Sequence, residues 1–382
     1  MARGGKTKTP KNIKLLGASS FFNDVGSEMI TPILPFYINA LGGGGVAVGL
    51  VSGLREGLSS LFKFFGGWLS DKTKKRMPFV FFGYLFSIVA RFFLILANAW
   101  KTVVVFISFE RFGKLRDPPR DAIITDSTKQ RGHGFGFHQA MDSAGGVIGT
   151  LIVVLLFWKF NLGFKSIILV AALISILSLL PLFFVKEPHP KTKKKVTLRG
   201  AKDLNKRLKY FVFVASVFTL ANFGMYMFLL LRAKELTGST ITALLFYVAF
   251  TSVYAIFAIP FGDLSDRIGR KKVLLLGYTL FVLVALGFTN SADLTMLLIL
   301  FVLYGLVYAM TQSNQRAMVS DLALPKRKGT AFGVYESTIG LVNIPAGLIA
   351  GLLWDISYKI MFSYVAVVAI IAIILLMFVK EK

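Results

Sequence analysis

The sequence predicts an all-α membrane protein of twelve transmembrane helices, arranged as two six-helix bundles with both termini on the cytoplasmic side. Residues are 55% hydrophobic and 16% charged, whereas soluble domains carry roughly 25% charged residues. Apolar runs of about 20 residues, the length that crosses a bilayer core, recur along the chain. The net charge is +25, and the cations concentrate in the short connections on one side, as the positive-inside rule expects.

The apolar runs define twelve spans and three regions. The spans lie at roughly residues 14–40, 47–71, 77–98, 101–125, 133–158, 164–185, 209–232, 239–265, 272–290, 293–318, 329–354 and 359–380. We expect an N-terminal bundle over 1–185, a basic cytoplasmic linker over 186–209 and a C-terminal bundle over 210–382. The linker is either solvated or contains a helix on the anionic inner leaflet.

A turn of small residues, one aspartate and several cations occurs twice, 195 residues apart. It runs from Gly67 to Arg76 and again from Gly262 to Lys271, and each copy joins two spans. The carboxylate can accept hydrogen bonds at a helix N-terminus, and the cations can pair with Asp126 or Asp321, which repeat at the same offset. Simple anchoring by positive charge is the alternative.

These turns resemble the signature of the major facilitator superfamily, Gly-x-Leu-x-Asp-Arg/Lys-x-Gly-Arg-Arg/Lys, and the resemblance covers essentially the whole chain. The first copy departs from it, with Lys74 in place of the later glycine. The Arg111–Asp121 run is also similar to the fourth span of prokaryotic members. Span 5 lacks the Gly-Pro of the antiporter signature. The resemblance implies a cytoplasmic latch that stabilises the outward-facing state, formed by Gly67, Asp71, Arg76, Asp126, Gly262, Asp266, Arg267, Arg270 and Asp321.

Charged residues at membrane depth occur almost wholly in the first half. A charge there costs about 2.5–3.5 kcal/mol on insertion scales, so these groups must pair or line an aqueous cavity. Asp24 and Glu28 lie one helical turn apart in span 1, Asp142 lies in span 5, and Arg111 lies in span 4. We predict that the three carboxylates carry protons and that Arg111 modulates them. A static ion-pair network is the alternative.

Spans of the second half carry mainly neutral polar and aromatic side chains. They predict an amphipathic substrate wall, with coupling groups in the first half. The candidate substrate-binding residues are Glu56, Lys114, His138, Asn222, Tyr226, Tyr304, Tyr308 and Glu336. In a transporter built from parallel repeats, the site is expected between the halves near the midplane.

The sequence therefore predicts a proton-coupled secondary transporter that exports a small amphipathic organic solute by alternating access. Three other transport functions stay open. Uptake of an organic anion is suggested by Arg55, Arg91, Arg111 and Lys114, export of a divalent metal by His138 with nearby acids, and lipid flipping needs a lateral opening. A membrane receptor or scaffold is a further alternative, although the buried charges argue against it.

Catalytic, nucleotide-binding and metal motifs are not recognisable, and the chain has no cysteine. We therefore expect no enzymatic activity, no cofactor and no resident metal. The expected partners are a small-molecule substrate, protons and the lipid bilayer, without nucleic acid, and the protein is expected to be a monomer. The expected location is the cell membrane, which the chain crosses many times.

Overall fold

A computed structural model describes residues 9–128, 130–187, 204–291, 293–324 and 328–381. Every regular element in these ranges is a helix, as the apolar runs predict. Some of the connection cations, namely Lys129, Lys326 and Arg327, lie outside the described residues. So do residues 188–203 of the predicted linker.

The first half contains eight α-helices and three short 3-10 segments in its described part. The α-helices are α1 (Lys11–Ile30), α2 (Leu34–Ala40), α3 (Gly45–Thr73), α4 (Met77–Ile95), α5 (Trp100–Phe112), α6 (Asp117–Ser127), α7 (Arg131–Phe160) and α8 (Phe164–Ile176). The 3-10 segments are Thr31–Ile33, Gly113–Arg116 and Leu177–Phe184. Each continues or joins α-helices within one predicted span, and the first and third contain a proline, which cannot donate to the helical ladder.

The second half contains seven α-helices in the residues that the structure describes. They are α9 (Lys206–Ala221), α10 (Tyr226–Thr237), α11 (Thr240–Ile268), α12 (Arg270–Thr289), α13 (Leu294–Leu322), α14 (Lys328–Ile356) and α15 (Tyr358–Met377). Helices α9 and α10 together form the predicted seventh span.

Nine helical stretches of the described chain are long and apolar enough to cross a membrane. Predicted spans 14–40, 47–71 and 101–125 are not among them. These three carry many of the intramembrane charges, such as Asp24, Glu56 and Arg111. The count of twelve crossings and the cytoplasmic termini stay predictions.

The chain divides into two compact units that are not continuous in sequence. Unit 1 comprises Met1–Thr31, Phe62–Leu96 and Phe109–Val196, and unit 2 comprises Pro32–Leu61, Ala97–Ser108 and Thr197–Lys382. Helix α3 therefore contributes its first part to unit 2 and its last part to unit 1. The domain limits at 185 and 209 stay predictions, because the units follow packing and not sequence order.

Glycines set the closest helix approach in unit 1. A Cβ atom on Gly145 would lie 2.6 Å from the backbone oxygen of Phe21, and one on Gly149 would overlap that of Val25. Helix α7 therefore packs directly on the backbone of α1, as small residues allow between transmembrane helices. Gly136, on the same helix, has nothing within 4 Å of its Cβ position, so it makes no such contact.

In unit 2, the first part of α3 packs on α14 through glycines of both helices. A Cβ on Gly53 would lie 2.5 Å from the backbone oxygen of Asn343. Asp355, at the end of α14, accepts hydrogen bonds from the backbone N–H groups of Gly45 (2.5 Å) and Val46 (2.9 Å). This carboxylate caps the N-terminus of α3, where the helix dipole favours an anion.

Candidate functional site

Two predicted proton carriers of unit 1 face helix α7. A Cβ atom on Gly145 would lie 3.3 Å from the Cβ of Asp24, and one on Gly146 would lie 3.6 Å from the Cγ of Glu28. The Asn23 amide donates to Asp24 Oδ1 (3.0 Å), and the Thr31 hydroxyl donates to Glu28 Oε1 (3.3 Å). Both carboxylates are half-buried. Their spacing of one helical turn on α1 places both along the glycine face of α7, and their role as proton carriers stays a prediction.

Helix α7 contributes His138 and Asp142 to the same region of unit 1. His138 Nδ1 lies 3.3 Å from Asp142 Oδ2, and the side chain of Asp142 is 22% exposed. The charge of Asp142 acts on Asp24, as do those of Lys114, Arg116 and Arg120. The structure therefore brings Asp24 and Asp142, predicted from different spans, into one electrostatic cluster with three cations.

Lys114 belongs to a cation group around one buried carboxylate, Asp117. The distances to the Asp117 oxygens are 3.7 Å from Lys63 Nζ, 3.7 Å from Lys114 Nζ, 3.7 Å from Arg116 Nε and 3.6 Å from Arg120 Nη1. Arg120 also pairs with Asp121 at 3.1 Å, so four cations meet two carboxylates here and positive charge is in excess. Lys114 and Arg116 belong to the 3-10 segment that immediately precedes Asp117, the first residue of α6.

Arg111 lies in a different network, which the sequence analysis did not anticipate. Its Nη2 donates to Glu110 Oε2 at 2.6 Å, and Arg91 Nε donates to Glu110 Oε1 at 3.2 Å. Arg91 also donates to Ser175 Oγ (2.5 Å) and to the backbone oxygen of Asn23 (3.2 Å).

The ion-pair partner that the structure shows for Arg111 is Glu110 and not a predicted proton carrier. The cations that act on Asp24 are Lys114, Arg116 and Arg120, which surround Asp117. Glu110 was not predicted, although its place beside Arg111 in a charged span was a signal.

Unit 2 contains the predicted aromatic wall. Ring centroids lie 5.8 Å apart for Tyr226 and Tyr247, and 5.0 Å apart for Tyr304 and Tyr308. The hydroxyl of Tyr304 donates to Asn222 Oδ1 at 2.8 Å. The structure therefore brings together Asn222, Tyr304 and Tyr308 as predicted.

One residue that the sequence analysis missed connects this wall. Phe250 lies between the tyrosines, with its ring centroid 5.1 Å from those of Tyr304 and Tyr308. Phenylalanine is so frequent in this chain, with 37 residues, that no sequence signal distinguishes Phe250.

Two acidic candidates have surroundings that differ from those expected. Glu56 belongs to unit 2, where its charge acts on Tyr308 of the aromatic wall. Glu336 pairs with Arg316, with 3.0 Å between Arg316 Nε and Glu336 Oε1. Arg316 was not among the candidate residues, because the spans of the second half carry mainly neutral side chains.

The first latch turn contains the predicted ion pair. Arg76 Nη1 lies 2.6 Å from Asp126 Oδ2, and both side chains are about 15% exposed. The helix-capping role predicted for Asp71 belongs to Glu187, which accepts hydrogen bonds from the backbone N–H groups of Arg76 (2.6 Å) and Met77 (3.4 Å). Asp71 is exposed. A Cβ on Gly67 would lie 3.4 Å from Pro118, so this glycine packs against α6.

In the second latch turn, Arg270 is the central cation. It pairs with Asp266 and, at 3.4 Å, with Asp321. Arg267 is exposed, and nothing lies within 4 Å of the Cβ position of Gly262. Close packing at this glycine is therefore not observed.

A glutamate caps the helix after the second turn, as Glu187 caps the helix after the first. Glu381 accepts a hydrogen bond from the backbone N–H of Lys271 at 2.6 Å. Neither capping glutamate was predicted, although each ends a repeated Phe-Val-Lys-Glu segment, at 184–187 and 378–381. That repeat was an available signal.

A metal site gains no support from the described residues, in which no group of three or more histidine, aspartate or glutamate side chains is arranged to hold an ion.

Comparisons with known proteins identify the family. A family profile described as Major Facilitator Superfamily matches residues 16–248 and 212–382. An uncharacterized MFS-type transporter of Methanocaldococcus jannaschii is 45% identical over 97% of this chain and 95% of its own length. A multidrug resistance protein of Proteus mirabilis, MdtH, is 26% identical over 83% of this chain and 80% of its own length.

A solved structure of the nucleoside transporter NupG, as its D323A mutant, has the same fold. Its TM-score is 0.83 at 15% identity, and the match covers 97% of this chain and 100% of that one. The chain belongs to the major facilitator superfamily, and it is a membrane transporter and not an enzyme.

Proposed function

We propose that the protein exports a small amphipathic organic solute across the cell membrane by alternating access, coupled to protons. The observation that carries this proposal is the cluster of Asp24 and Asp142, whose charges act on each other beside three cations. Half-buried carboxylates are accessible enough to exchange protons and sheltered enough to respond to nearby charges.

The cluster suggests how proton binding is coupled to helix movement. Asp24 is carried by α1 and Asp142 by α7, whereas the cations belong to the 3-10 segment and α6. The charge of the two carboxylates depends on how near the cations lie. A shift of α1 against α6 therefore changes proton occupancy, and a change in proton occupancy biases the shift.

The aromatic wall supports an amphipathic solute. Tyrosine and phenylalanine faces bind planar apolar groups, and the Asn222–Tyr304 hydrogen bond provides polar atoms that can orient a ligand. Glu56 adds one negative charge near Tyr308. The relatives named multidrug resistance proteins favour export over uptake.

Purified protein in proteoliposomes with an imposed pH gradient tests the coupling. Ethidium is a suitable planar probe, with its movement and the internal pH followed together. We expect Asp24→Asn and Asp142→Asn each to abolish proton movement linked to ethidium, while Asp263→Asn, an exposed carboxylate on α11, leaves it unchanged. Undiminished proton movement in both cluster variants would refute the coupling assignment.

Uptake of an organic anion is the second candidate, favoured by the four cations around Asp117. The same vesicles distinguish the two functions when p-aminohippurate replaces ethidium. Accumulation of p-aminohippurate with the proton gradient, lost in Lys114→Gln, would support anion uptake and contradict export of an amphipathic solute.

A further inference from the structure

Helices α9 and α14 line an open furrow on unit 2. Its cavity volume is about 480 Å³, and its lining is mainly apolar, including Val212 and Phe213 on α9 and Val342 and Pro345 on α14. Lys209 lies at one end of it. Phe213 is 54% exposed, and α9 belongs to a helical stretch that is apolar enough to cross a membrane.

Positive charge collects at the Lys209 end of the furrow. Lys206 and Lys209 lie one helical turn apart on α9, and both are exposed, as is Arg207. A second cavity of about 330 Å³ is lined by Asn205, Lys206, Arg207 and Leu322. The Asn205 amide donates to the backbone oxygen of Leu322 at 2.6 Å, which fixes the start of α9 against the end of α13.

Asp321, which precedes Leu322 in the sequence, pairs with Arg270. Lys206, Arg207 and Lys209 contribute three formal positive charges to this end of the furrow.

The corresponding part of the first half has the same cations but a close contact between its helices. Lys11 and Lys14 of α1 stand 195 residues before Lys206 and Lys209, so the two cations repeat. On α7, Phe137 and Met141 pack against α1, because a Cβ atom on Gly17 would lie 3.1 Å from Phe137 and 3.2 Å from Met141. The space beside α1 is thereby filled.

The residues of α14 that correspond to Phe137 and Met141 of α7 have smaller side chains. The repeated Phe-Gly pair, at 135–136 and 332–333, sets an offset of 197 residues between the two helices. At that offset, Val334 stands for Phe137 and Thr338 stands for Met141, and Thr338 lines the furrow. At the same offsets Val212 stands for Gly17 and Val342 for Gly145, so the furrow is lined differently from the contact between α1 and α7, while the cations remain.

We propose that this furrow binds an anionic phospholipid, with its phosphate on Lys206, Arg207 and Lys209 and an acyl chain between α9 and α14. A row of cations at one end of an apolar channel complements the two parts of such a lipid. By the positive-inside rule these cations lie at the inner leaflet, which is the leaflet that carries anionic lipids.

Native mass spectrometry of the delipidated full-length protein in detergent tests the site, with phosphatidylglycerol as the probe. We expect Lys206→Gln/Lys209→Gln to weaken phosphatidylglycerol binding about 10- to 30-fold, since each basic residue near a membrane surface contributes substantially to binding of anionic lipid. Lys11→Gln/Lys14→Gln, which removes the equivalent cations of α1, should change it less than about twofold. Equal losses in the two double variants would overturn the proposal.

Filling the furrow separates lipid binding from simple charge attraction. Thr338→Met inserts the residue of the equivalent position of α7 and should weaken phosphatidylglycerol binding, whereas Leu341→Met, on the exposed face of α14, should not. An unchanged affinity in Thr338→Met would overturn the acyl-chain assignment.

The headgroup assignment has its own controls. Phosphatidylcholine should bind more weakly than phosphatidylglycerol, and glycerol 1-phosphate should not compete with it. Equal binding of phosphatidylcholine, or full competition by glycerol 1-phosphate, would contradict an anionic-lipid site. Unchanged thermal unfolding of each variant shows that a lost signal is not a folding defect.

Discussion

The two units of this transporter are stabilised by different chemistry. In unit 1, buried arginines and carboxylates bind several helices to one another, as Arg91 does with Glu110, Ser175 and Asn23. In unit 2, stacked aromatic rings do so, as Phe218 and Tyr278 do at 3.7 Å between centroids. Buried ion pairs respond to the loss or gain of a charge, while an aromatic wall mainly provides shape and apolar surface. A duplicated architecture can thus carry proton chemistry in one unit and solute contacts in the other.

The largest loss of stability is expected when Glu110 of unit 1 is replaced. Its side chain is about 6% exposed and is the carboxylate partner of both Arg91 and Arg111. Glu110→Ala leaves two buried guanidinium groups without their anion, which should lower the free energy of unfolding by about 3–5 kcal/mol.

Tyr278→Phe is the matched change in unit 2. It removes the hydrogen bond from Gln315 to the Tyr278 hydroxyl but no charge, and should cost about 1 kcal/mol. Both are measured by chemical unfolding in mixed micelles. Equal losses would show that buried charge does not distinguish the two units.

The two latch turns give a second comparison, at the position where they differ in sequence. Gly269 has φ +102° and ψ 142°, a conformation that is essentially restricted to glycine. A Cβ there would also lie 3.1 Å from Glu381. Gly269→Ala should therefore destabilise the protein by about 1–3 kcal/mol.

Lys74, the equivalent residue of the first turn, has φ +56°. Lys74→Gly should be neutral or stabilise the protein by up to about 1 kcal/mol, because glycine adopts this left-handed conformation without steric cost. The same unfolding experiment measures both. A destabilising Lys74→Gly would mean that the lysine side chain itself supports the turn.

The smallest expected effect compares the ion pairs of the turns. Asp126 is 14% exposed in its pair with Arg76, whereas Asp321 is 53% exposed in its pair with Arg270. Water screens the second pair, so Asp321→Asn should cost at most about 0.5 kcal/mol.

Asp126→Asn should cost about 1–2 kcal/mol, because a charge-assisted hydrogen bond is lost in a half-buried place. As salt is raised, the free energy of unfolding of Asp321→Asn should approach that of the unchanged protein, because salt screens the exposed pair. The difference for Asp126→Asn should persist. A larger loss for Asp321→Asn would reverse the comparison.

Much of the fold followed from simple patterns. Apolar runs of membrane length predict helices, and each predicted span coincides with one helix or a run of helical segments. The pairing of Arg76 with Asp126 could be predicted because the cations of the turn and this aspartate recur at the same offset, although Arg270, the equivalent of Lys75, is the partner of Asp321. Residue pairs that do not repeat in the two halves, such as Arg316 with Glu336, could not be predicted, since no repeated motif indicates that the two residues meet.

The candidate site was predicted by residue type and less well by partner. Asp24 and Asp142 lie in one cluster, as their depth in the spans suggests. Arg111 has Glu110 as its partner, and Glu56 lies with the aromatic wall. Depth along a helix can be read from a sequence, whereas the direction in which a side chain points depends on the rotation and tilt of that helix.

The sequence by itself determined the helical class, the duplication and the family, because hydrophobic length and repeated motifs are local properties of the chain. Tertiary structure decided which carboxylate meets which cation, that Glu187 and Glu381 cap the helices after the turns, and that an apolar furrow lies between α9 and α14. These features depend on contacts between residues far apart in the chain, and such contacts exist only once the helices pack.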